Sequence, residues 1–338
     1  MSKLAIHNRG TADGWHGQIG LDSPFPPESG RYHMYIGLFC PLAHRANLVR
    51  HLKGLADAID ISVLKPYTKG QNRGWPGWEF PQTDDEYPQS TVDKVFDSDY
   101  LHEVYFKDDP HYQGRYTVPA LWDKNSKSMV NTESAELLRN LQTGFNDILD
   151  SSHASLTLYP KHLQSKIDEI AEWMQRDLNA GVYKAGFAES QEVYDKNVIP
   201  VFGALNKIEK IISEHGGPYV LGREMTELDI RLYATAIRFD VVYVQHFKCN
   251  LGMIRHDYPV IHNWLKNLYW NHESFRETTN FKHIKENYTK SHPQVNPKAI
   301  TPRGPYPDIE QGIESDFKKL NPGGVQLPEV LAWESQLS

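Results

Sequence analysis

Cys40 is the residue of this chain best suited to covalent chemistry, and two basic residues, His44 and Arg45, follow it one helical turn later. Pro41 comes directly after the cysteine and suits the first position of a helix, because proline lacks only an amide hydrogen that would be unpaired there. The free amide hydrogens and the dipole at such a helix N-terminus stabilise a thiolate and lower the pKa of a cysteine. The pattern predicts an activated nucleophilic thiol, and the alternative is a small buried cysteine that packs as a hydrophobic residue.

A strand and a helix are predicted to position this cysteine. Residues 34–39 alternate as in a strand with one face in a core. From Pro41 the spacing of apolar residues becomes helical, and Gly54 is placed to end the helix. Residues 59–63 alternate again as a second strand, so residues 32–64 predict a βαβ unit with a parallel pair of strands.

Composition narrows the class of protein. A chain of 338 residues is long enough for two domains, and 36 basic against 43 acidic residues give no support for a nucleic-acid surface. No apolar run reaches membrane-spanning length and the N-terminus lacks a hydrophobic signal core, so we expect a soluble cytoplasmic protein without membrane contact. Cys40 and Cys249 lie too far apart for a CxxC redox pair or a zinc site, and we expect no metal.

Several segments resemble one known family. FCPLAHR, which contains Cys40, followed by VRHLKGL, resembles the active-site segment of the glutathione transferases that use cysteine, and most closely the Xi class, the glutathionyl-hydroquinone reductases. Further segments resemble that family in the same order over roughly residues 15–308: VYFKDDPHYQGRYTVPALWD, NTESAELLR, NAGVYKAGFA, RFDVVYVQHFKC and the run from Tyr288 to Pro307. The resemblance implies the glutathione transferase fold, an α/β N-terminal thioredoxin-like domain plus an all-α C-terminal domain.

The predicted organisation has four parts. An irregular N-terminal lead-in over residues 1–31 precedes a thioredoxin-like glutathione-binding domain over residues 32–145, and an all-helical substrate domain over residues 146–290 precedes a C-terminal tail over residues 291–338. The first domain contains an inserted loop over residues 65–98, and a loop of this length is usually functional or disordered. We expect the tail, rich in proline and glycine, to lie over a neighbouring subunit or to stay mobile.

The resemblance implies that glutathione contacts Trp78, Val118, Glu133 and Ser134. Val118 is expected to precede a cis proline and to pair through its backbone with the cysteinyl part of glutathione. Helix N-termini bind carboxylates and a glutamate can pair with an ammonium group, so Glu133 and Ser134 suit the γ-glutamyl end. The alternatives are that Trp78 joins Trp75 in a small apolar cluster beneath the loop, and that Glu133 and Ser134 only stabilise the first helical turn.

Three tyrosines match the hydroquinone-binding positions of the family. By the resemblance, the phenol groups of Tyr183, Tyr243 and Tyr288 hydrogen-bond the oxygens of the substrate. Taken singly, each is a tyrosine of the ordinary kind, with a half-buried ring and an exposed hydroxyl. Cys249 belongs to the HFKC segment of the same family, and we interpret it as structural rather than as a resolving thiol.

The resemblance implies an enzyme with glutathione as its co-substrate. The Cys40 thiolate attacks the sulfur of a glutathionyl-hydroquinone, a mixed disulfide with glutathione remains, and a second glutathione releases it as oxidised glutathione. Two alternatives stay open: an Omega-like thiol transferase acting on dehydroascorbate or glutathionylated proteins, and a non-enzymatic glutathione-fold binding protein. The family also suggests a homodimer formed through the helical domain.

One residue departs from the family pattern. Leu42 stands where most members carry an aromatic residue, usually tryptophan. Cys40, Ala43, His44 and Arg45 keep their places, so the departure bears on the packing beneath the active site and on the breadth of substrates.

Overall fold

The computed structural model describes residues 14–69 and 76–337. Trp75, predicted to be ordered together with Trp78, lies outside the described residues. The chain divides into two compact units, Met1–Thr157 with Thr278–Asn287, and Leu158–Glu277 with Tyr288–Ser338. Within the described ranges, no helix combines the length and the apolar character that a bilayer crossing requires.

The first unit is built on a mixed sheet. Its strands are Tyr32–Ile36 (β1), Ile59–Val63 (β2), Thr68–Lys69 (β3), Gly77–Trp78 (β4), Ala120–Asp123 (β5) and Ser128–Asn131 (β6). The main sheet has the order β2-β1-β5-β6, in which β1 and β2 are parallel while β5 runs antiparallel to both β1 and β6. A parallel βαβ unit followed by an antiparallel hairpin confirms the thioredoxin-like arrangement that the resemblance implied.

The central strand β1 differs from its prediction. All five of its residues are buried, although the alternation predicted one exposed face. Successive side chains of a strand point to opposite faces, so full burial means that both faces of this central strand are covered. Residue pattern alone therefore identified the strand but not its environment.

Helices flank this sheet. In the first unit they are Pro41–Leu52 (α1), Leu101–Asp108 (α2), Ser134–Thr143 (α3) and Ser151–Ser155 (α4), with a 3-10 turn at Asn146–Ile148. The predicted end of α1 is confirmed, because Gly54 follows it with a φ of +64°, a conformation that glycine adopts without steric cost.

The described part of the inserted loop packs on the sheet through buried polar groups. Asp93 accepts hydrogen bonds from the Tyr35 hydroxyl at 3.0 Å and from the Ser98 amide at 3.2 Å. Ser62 of β2 accepts one from the Lys94 amide at 3.1 Å. The short antiparallel pair β3-β4 lies in the same loop and brings Trp78 into a defined position.

The second unit is helical, as predicted. Its segments are Gln164–Trp173 (α5), a π-helix at Met174–Asn179, Gly181–Gly186 (α6), Gln191–His215 (α7), Glu227–Arg238 (α8), a π-helix at Phe239–Tyr243, Val244–His246 (α9), Ile254–Asp257 (α10), Pro259–Asn271 (α11), Glu273–Glu277 (α12) and Pro328–Glu334 (α14), with 3-10 turns at Lys161–Leu163, Phe317–Lys319 and Ser335–Leu337. Helix Phe281–Ser291 (α13) begins within the first unit and ends within the second. Helix α8 begins with a capping box, in which the side chains of Thr226 and Asp229 bond reciprocally to the backbone at the helix start.

The C-terminal tail packs on its own chain. The side-chain amide of Asn206 in α7 pairs with both backbone groups of Val325 at 2.9 Å, and that of Asn263 in α11 pairs with both backbone groups of Glu314 at 2.8 and 2.9 Å. These contacts hold a tail that the sequence predicted to cover a neighbouring subunit or to stay mobile. They join residues more than 50 positions apart, which is why local composition did not reveal them.

Candidate active site

Cys40 occupies the N-cap position of α1, as predicted. Its backbone is extended, with φ −78° and ψ 124°, and its carbonyl accepts the first helical hydrogen bond, from the His44 amide at 2.9 Å. The first turn of α1 contains no acidic residue, and the cysteine is partly exposed. A partly exposed thiol at the positive end of a helix is the environment in which a cysteine becomes nucleophilic.

The backbone beside the cysteine has the expected conformation. The Val118-Pro119 peptide bond is cis, which confirms the conformation implied by the resemblance. The Cys40 thiol donates to the Val118 carbonyl, with 3.5 Å between sulfur and oxygen. The strand that begins at Ala120 therefore enters the sheet directly beside the reactive sulfur.

Glu133 and Ser134 lie at the N-terminus of α3. Glu133 is the N-cap residue and is exposed, while Ser134 is the first helical residue and is buried. The Asn131 side chain accepts the Glu133 amide hydrogen at 2.7 Å. The Glu133 side chain makes no capping hydrogen bond to the first helical turn.

A cavity of about 330 Å³ lies at this helix end. Predicted residues Val118, Glu133 and Ser134 line it together with Leu42, Tyr112, Gln113, Gly114, Arg115, Thr117, Pro119 and Thr132. The size is in the usual range for a small-molecule site. A carboxylate, a guanidinium and a helix N-terminus on one cavity suit a ligand that carries both an ammonium group and carboxylates.

Two lining residues extend the predicted set. Arg115 is exposed on the cavity wall, and sequence reasoning assigned it no role although it stands three positions before the Val118-Pro119 step. Leu42, the residue that departs from the family pattern, is 39% exposed and lines the same cavity. The position of Arg115 just before the Val-Pro step was the one sequence feature that could have marked it as a cavity residue.

Trp78 lies in β4, and its ring stacks on Phe39 with centroids 4.5 Å apart and planes 24° apart. Phe39 directly precedes Cys40. The residues that line the 330 Å³ cavity do not include Trp78, so its contact with glutathione stays a prediction. The stacking on Phe39 fits the alternative of an aromatic cluster equally well.

The basic neighbours of Cys40 are buried. His44 and Arg45 are each 2% exposed, and the His44 imidazole nitrogen Nε2 lies 3.1 Å from the Thr278 hydroxyl. Both side chains belong to the same helix as Cys40, one turn further on. Their contribution to the potential at the sulfur stays a prediction.

The second unit brings the three predicted tyrosines together. The hydroxyl oxygen of Tyr288 lies 2.5 Å from that of Tyr183 and 3.0 Å from that of Tyr243. Tyr243 and Tyr288 are buried, and Tyr183 is half-buried. Burial, followed by the nearby Tyr183 and Tyr243 hydroxyls, raises the pKa of Tyr288 well above its ordinary value. Tyr288 is therefore neutral near pH 7 and can donate a hydrogen bond.

Other rings surround this tyrosine cluster, and sequence reasoning did not single them out. The Phe247 ring stacks on Tyr243 with centroids 5.6 Å apart, and the imidazole nitrogens of His246 and His292 lie 3.1 Å apart. Burial lowers the pKa of both histidines to about 4. His246 and Phe247 belong to the RFDVVYVQHFKC segment and follow Tyr243 by three and four residues. Residues at that spacing lie on the same face of a helix, so the sequence could have placed them beside Tyr243.

Cys249 has the environment of a structural thiol. Its side chain is fully buried, and its thiol donates to the Phe247 carbonyl with 3.8 Å between sulfur and oxygen. Burial raises the pKa of Cys249 to about 12. The thiol is therefore protonated near pH 7, which supports its interpretation as structural.

Known proteins resemble this chain over both units. Residues 39–143 match the family model for the N-terminal domain of glutathione S-transferase, and residues 191–267 match the model for the C-terminal domain. The Schizosaccharomyces pombe protein named glutathione S-transferase omega-like 2 is 49% identical over 287 residues, covering 85% of this chain and 89% of its own. The Escherichia coli protein named glutathionyl-hydroquinone reductase YqjG is 43% identical over 317 residues, covering 94% of this chain and 92% of its own.

Solved structures show the same similarity. The Xi glutathione transferase of Saccharomyces cerevisiae in complex with glutathione superimposes with a TM-score of 0.82 at 39% sequence identity. The superposition covers 87% of this chain and 98% of the yeast chain.

Proposed function

Because this chain belongs to the Xi class of the glutathione transferases, we propose that it reduces glutathionyl-hydroquinones to hydroquinones with glutathione as the co-substrate. The observation that carries this proposal is the cluster formed by the hydroxyls of Tyr183, Tyr243 and Tyr288. A thiol transferase acting on disulfides needs only the cysteine and a glutathione site. A hydroquinone has two phenolic oxygens, which require hydrogen-bonding groups of this kind.

In the proposed complex, glutathione occupies the cavity beside Cys40. Val118 pairs with the cysteinyl part through its backbone, and Glu133 with Ser134 binds the γ-glutamyl end. The exposed Arg115 offers a guanidinium to the second carboxylate of the peptide. Trp78 contacts the glutathione from β4. The support is the lining of one cavity by three of the four predicted residues, with the Val118 carbonyl 3.5 Å from the sulfur.

The proposed chemistry has two steps, and Cys40 takes part in both. In the first, the Cys40 thiolate attacks the sulfur of the glutathionyl-hydroquinone, the bond between sulfur and aromatic carbon breaks, and its electron pair remains on the carbon, which takes up a proton. The hydroquinone leaves, and a disulfide joins Cys40 to glutathione. In the second, the thiolate of a free glutathione attacks the glutathione sulfur of that disulfide. Oxidised glutathione leaves and the Cys40 thiolate returns.

The tyrosine cluster is assigned to the aromatic part of the substrate. Burial raises the pKa of Tyr288, so that phenol is neutral near pH 7. The hydroxyls of the cluster donate hydrogen bonds to the substrate oxygens. These hydrogen bonds strengthen as negative charge develops on the ring during cleavage. They therefore stabilise the transition state more than the bound substrate, which speeds the reaction.

One variant separates this function from the second candidate. That candidate is an Omega-like thiol transferase, favoured by the name of the 49% identical fission-yeast relative. Tyr288→Phe removes the hydroxyl that both other tyrosines contact. We expect kcat/KM for a glutathionyl-hydroquinone to fall by roughly 10- to 100-fold, the range for loss of one hydrogen bond to developing charge. Reduction of dehydroascorbate and of a glutathionylated peptide should stay near the parental rate.

Cys40→Ser is the matched control for that experiment and should abolish all of these reactions. A Tyr288→Phe protein that cleaves the glutathionyl-hydroquinone as fast as the parent contradicts the assignment of the phenols. A Cys40→Ser protein that still cleaves it contradicts the nucleophile. A parental protein that binds glutathione but turns over none of the substrates points to the non-enzymatic binding protein.

The family also leads us to propose a cytoplasmic homodimer formed through the helical domain. Sedimentation equilibrium at micromolar concentration tests the oligomeric state, with twice the chain mass of 38.9 kDa expected. Cell fractionation tests the compartment, and a reducing cytoplasm suits an enzyme whose resting state is a thiolate.

A further inference from the structure

Two of the three clustered tyrosines follow an unusual backbone element. The described residues contain π-helical segments at Met174–Asn179 and at Phe239–Tyr243. In the first, the Ala180 amide donates to the Gln175 carbonyl at 2.9 Å, five residues back, and in the second the Val244 amide donates to the Phe239 carbonyl, also five residues back. Such turns are rare and occur frequently at functional sites.

Each π-turn sets the direction of a tyrosine. A π-turn adds one residue to the helix, which rotates everything after it by about 100° relative to an uninterrupted α-helix. Tyr243 is the last residue of the second segment, and Tyr183 stands four residues after Asn179, the last residue of the first. Both hydroxyl oxygens lie within 3.0 Å of that of Tyr288.

A buried hydrogen bond joins the first π-helix to α8, the helix that leads directly into the second π-helix. The Thr235 hydroxyl donates to the side-chain oxygen of Asn179 at 2.7 Å, and these residues are 2% and 6% exposed. Asn179 ends the first π-helix, and Thr235 lies in α8 one helical turn before the second. The Asn179 amide nitrogen lies 3.4 Å from the Gln175 side-chain oxygen in the same π-helix. The bond therefore crosses from the end of the first π-helix to the helical turn that precedes the second.

We propose that Thr235 and Asn179 are positioning residues, which hold the two π-helices in a fixed register so that Tyr183 and Tyr243 meet Tyr288. The inference rests on the proposed function for its catalytic consequence. Neither side chain belongs to the tyrosine cluster, and both act through the backbone that carries it. Loss of the bond leaves a buried amide oxygen without its donor, and the segments relax towards other helical phases.

The test replaces the Thr235 hydroxyl by a methyl group of similar size, with Thr235→Val. We expect kcat for a glutathionyl-hydroquinone to fall about tenfold, since small displacements of positioned groups have large kinetic effects. The rate at which oxidised glutathione forms the mixed disulfide on Cys40 should be unchanged, because that step uses the thioredoxin-like unit. Thr235→Ser restores the hydroxyl and should restore kcat to within about twofold.

The matched control is Tyr258→Phe, which removes another buried hydroxyl of the helical unit, one that donates to Asn206 at 3.1 Å. It should lower stability as Thr235→Val does and leave kcat near the parental value. A crystal structure of Thr235→Val adds a readout that does not depend on turnover. In it we expect the Tyr183 and Tyr288 oxygens to lie beyond hydrogen-bonding range, more than about 3.5 Å apart.

The outcomes separate this inference from the proposed function. A folded Thr235→Val protein with parental kcat and an intact tyrosine cluster overturns the inference. So does a Thr235→Val protein in which both half-reactions slow equally. A Thr235→Ser protein whose kcat is as low as that of Thr235→Val overturns it as well. A parental protein without hydroquinone reductase activity overturns the proposed function. The distance between the Tyr183 and Tyr288 oxygens in the Thr235→Val crystal structure then still decides whether Thr235 and Asn179 position the tyrosines.

Discussion

At the scale of residues, the two cysteines of this chain have contrasting surroundings, from which we predict different chemistry. Cys40 is partly exposed at the N-terminus of α1, where amide hydrogens and the helix dipole favour a thiolate. Cys249 is fully buried, and burial raises its pKa to about 12. Position in the fold, rather than residue type, is the basis for predicting that Cys40 reacts and Cys249 does not.

Alkylation tests this contrast directly. With iodoacetamide at pH 7, we expect rapid modification of Cys40, faster than that of free cysteine, and no modification of Cys249 while the protein is folded. Peptide mapping by mass spectrometry measures both sites in one sample, and unfolding in guanidinium should equalise them. Equal slow modification of both cysteines in the folded protein contradicts the predicted activation of Cys40.

At the scale of elements, the capping box of α8 has a measurable role in stability. The Thr226 hydroxyl accepts the Leu228 amide hydrogen at 3.3 Å, and the Asp229 carboxylate accepts the Thr226 amide hydrogen at 2.8 Å. Thr226→Ala removes the first bond and should lower the free energy of unfolding by about 0.5 to 2 kcal/mol. Urea denaturation followed by circular dichroism measures this change.

Thr226→Ser keeps the cap and is the control for Thr226→Ala. The rate of mixed-disulfide formation on Cys40 in native buffer should be parental in both variants, because the capping box takes no part in the chemistry. An unchanged unfolding free energy in Thr226→Ala would show that the cap is dispensable in this fold.

Element boundaries show how far local sequence predicts this structure. The βαβ unit and the end of α1 at Gly54 follow from neighbouring residues, and both are present. The π-helices were not predicted, and the Thr235–Asn179 bond that ties the first of them to α8 spans 56 positions. The burial of both faces of β1 depends likewise on elements remote in sequence.

The residues of the candidate site also divide into those that local sequence could predict and those that it could not. Cys40 and the cis Val118-Pro119 bond could be predicted because each belongs to a short motif with a local cause or a family match. Arg115 and His292 were missed, since an exposed arginine and a histidine beyond a tyrosine carry no distinctive local pattern. Their roles emerge only where a cavity wall or a ring contact brings them beside predicted residues.

At the scale of the whole molecule, each unit supplies a different part of the proposed reaction. The thioredoxin-like unit holds Cys40, the proposed nucleophile, and a cavity suited to a peptide with charges of both signs. The helical unit holds three hydrogen-bonded phenols with aromatic neighbours, and its own C-terminal tail is fastened along it. Similarity to Xi-class structures extends over both units, so the division belongs to the family fold as a whole.

The most direct measurement mixes the protein with one equivalent of a glutathionyl-hydroquinone in the absence of free glutathione and follows a single turnover. The account predicts release of one hydroquinone per chain, together with one glutathionyl group found on Cys40 by intact-mass and peptide analysis. Added glutathione should then remove that group as oxidised glutathione. Hydroquinone released without an adduct on Cys40, or released equally by Cys40→Ser, would contradict the proposal that Cys40 is the nucleophile.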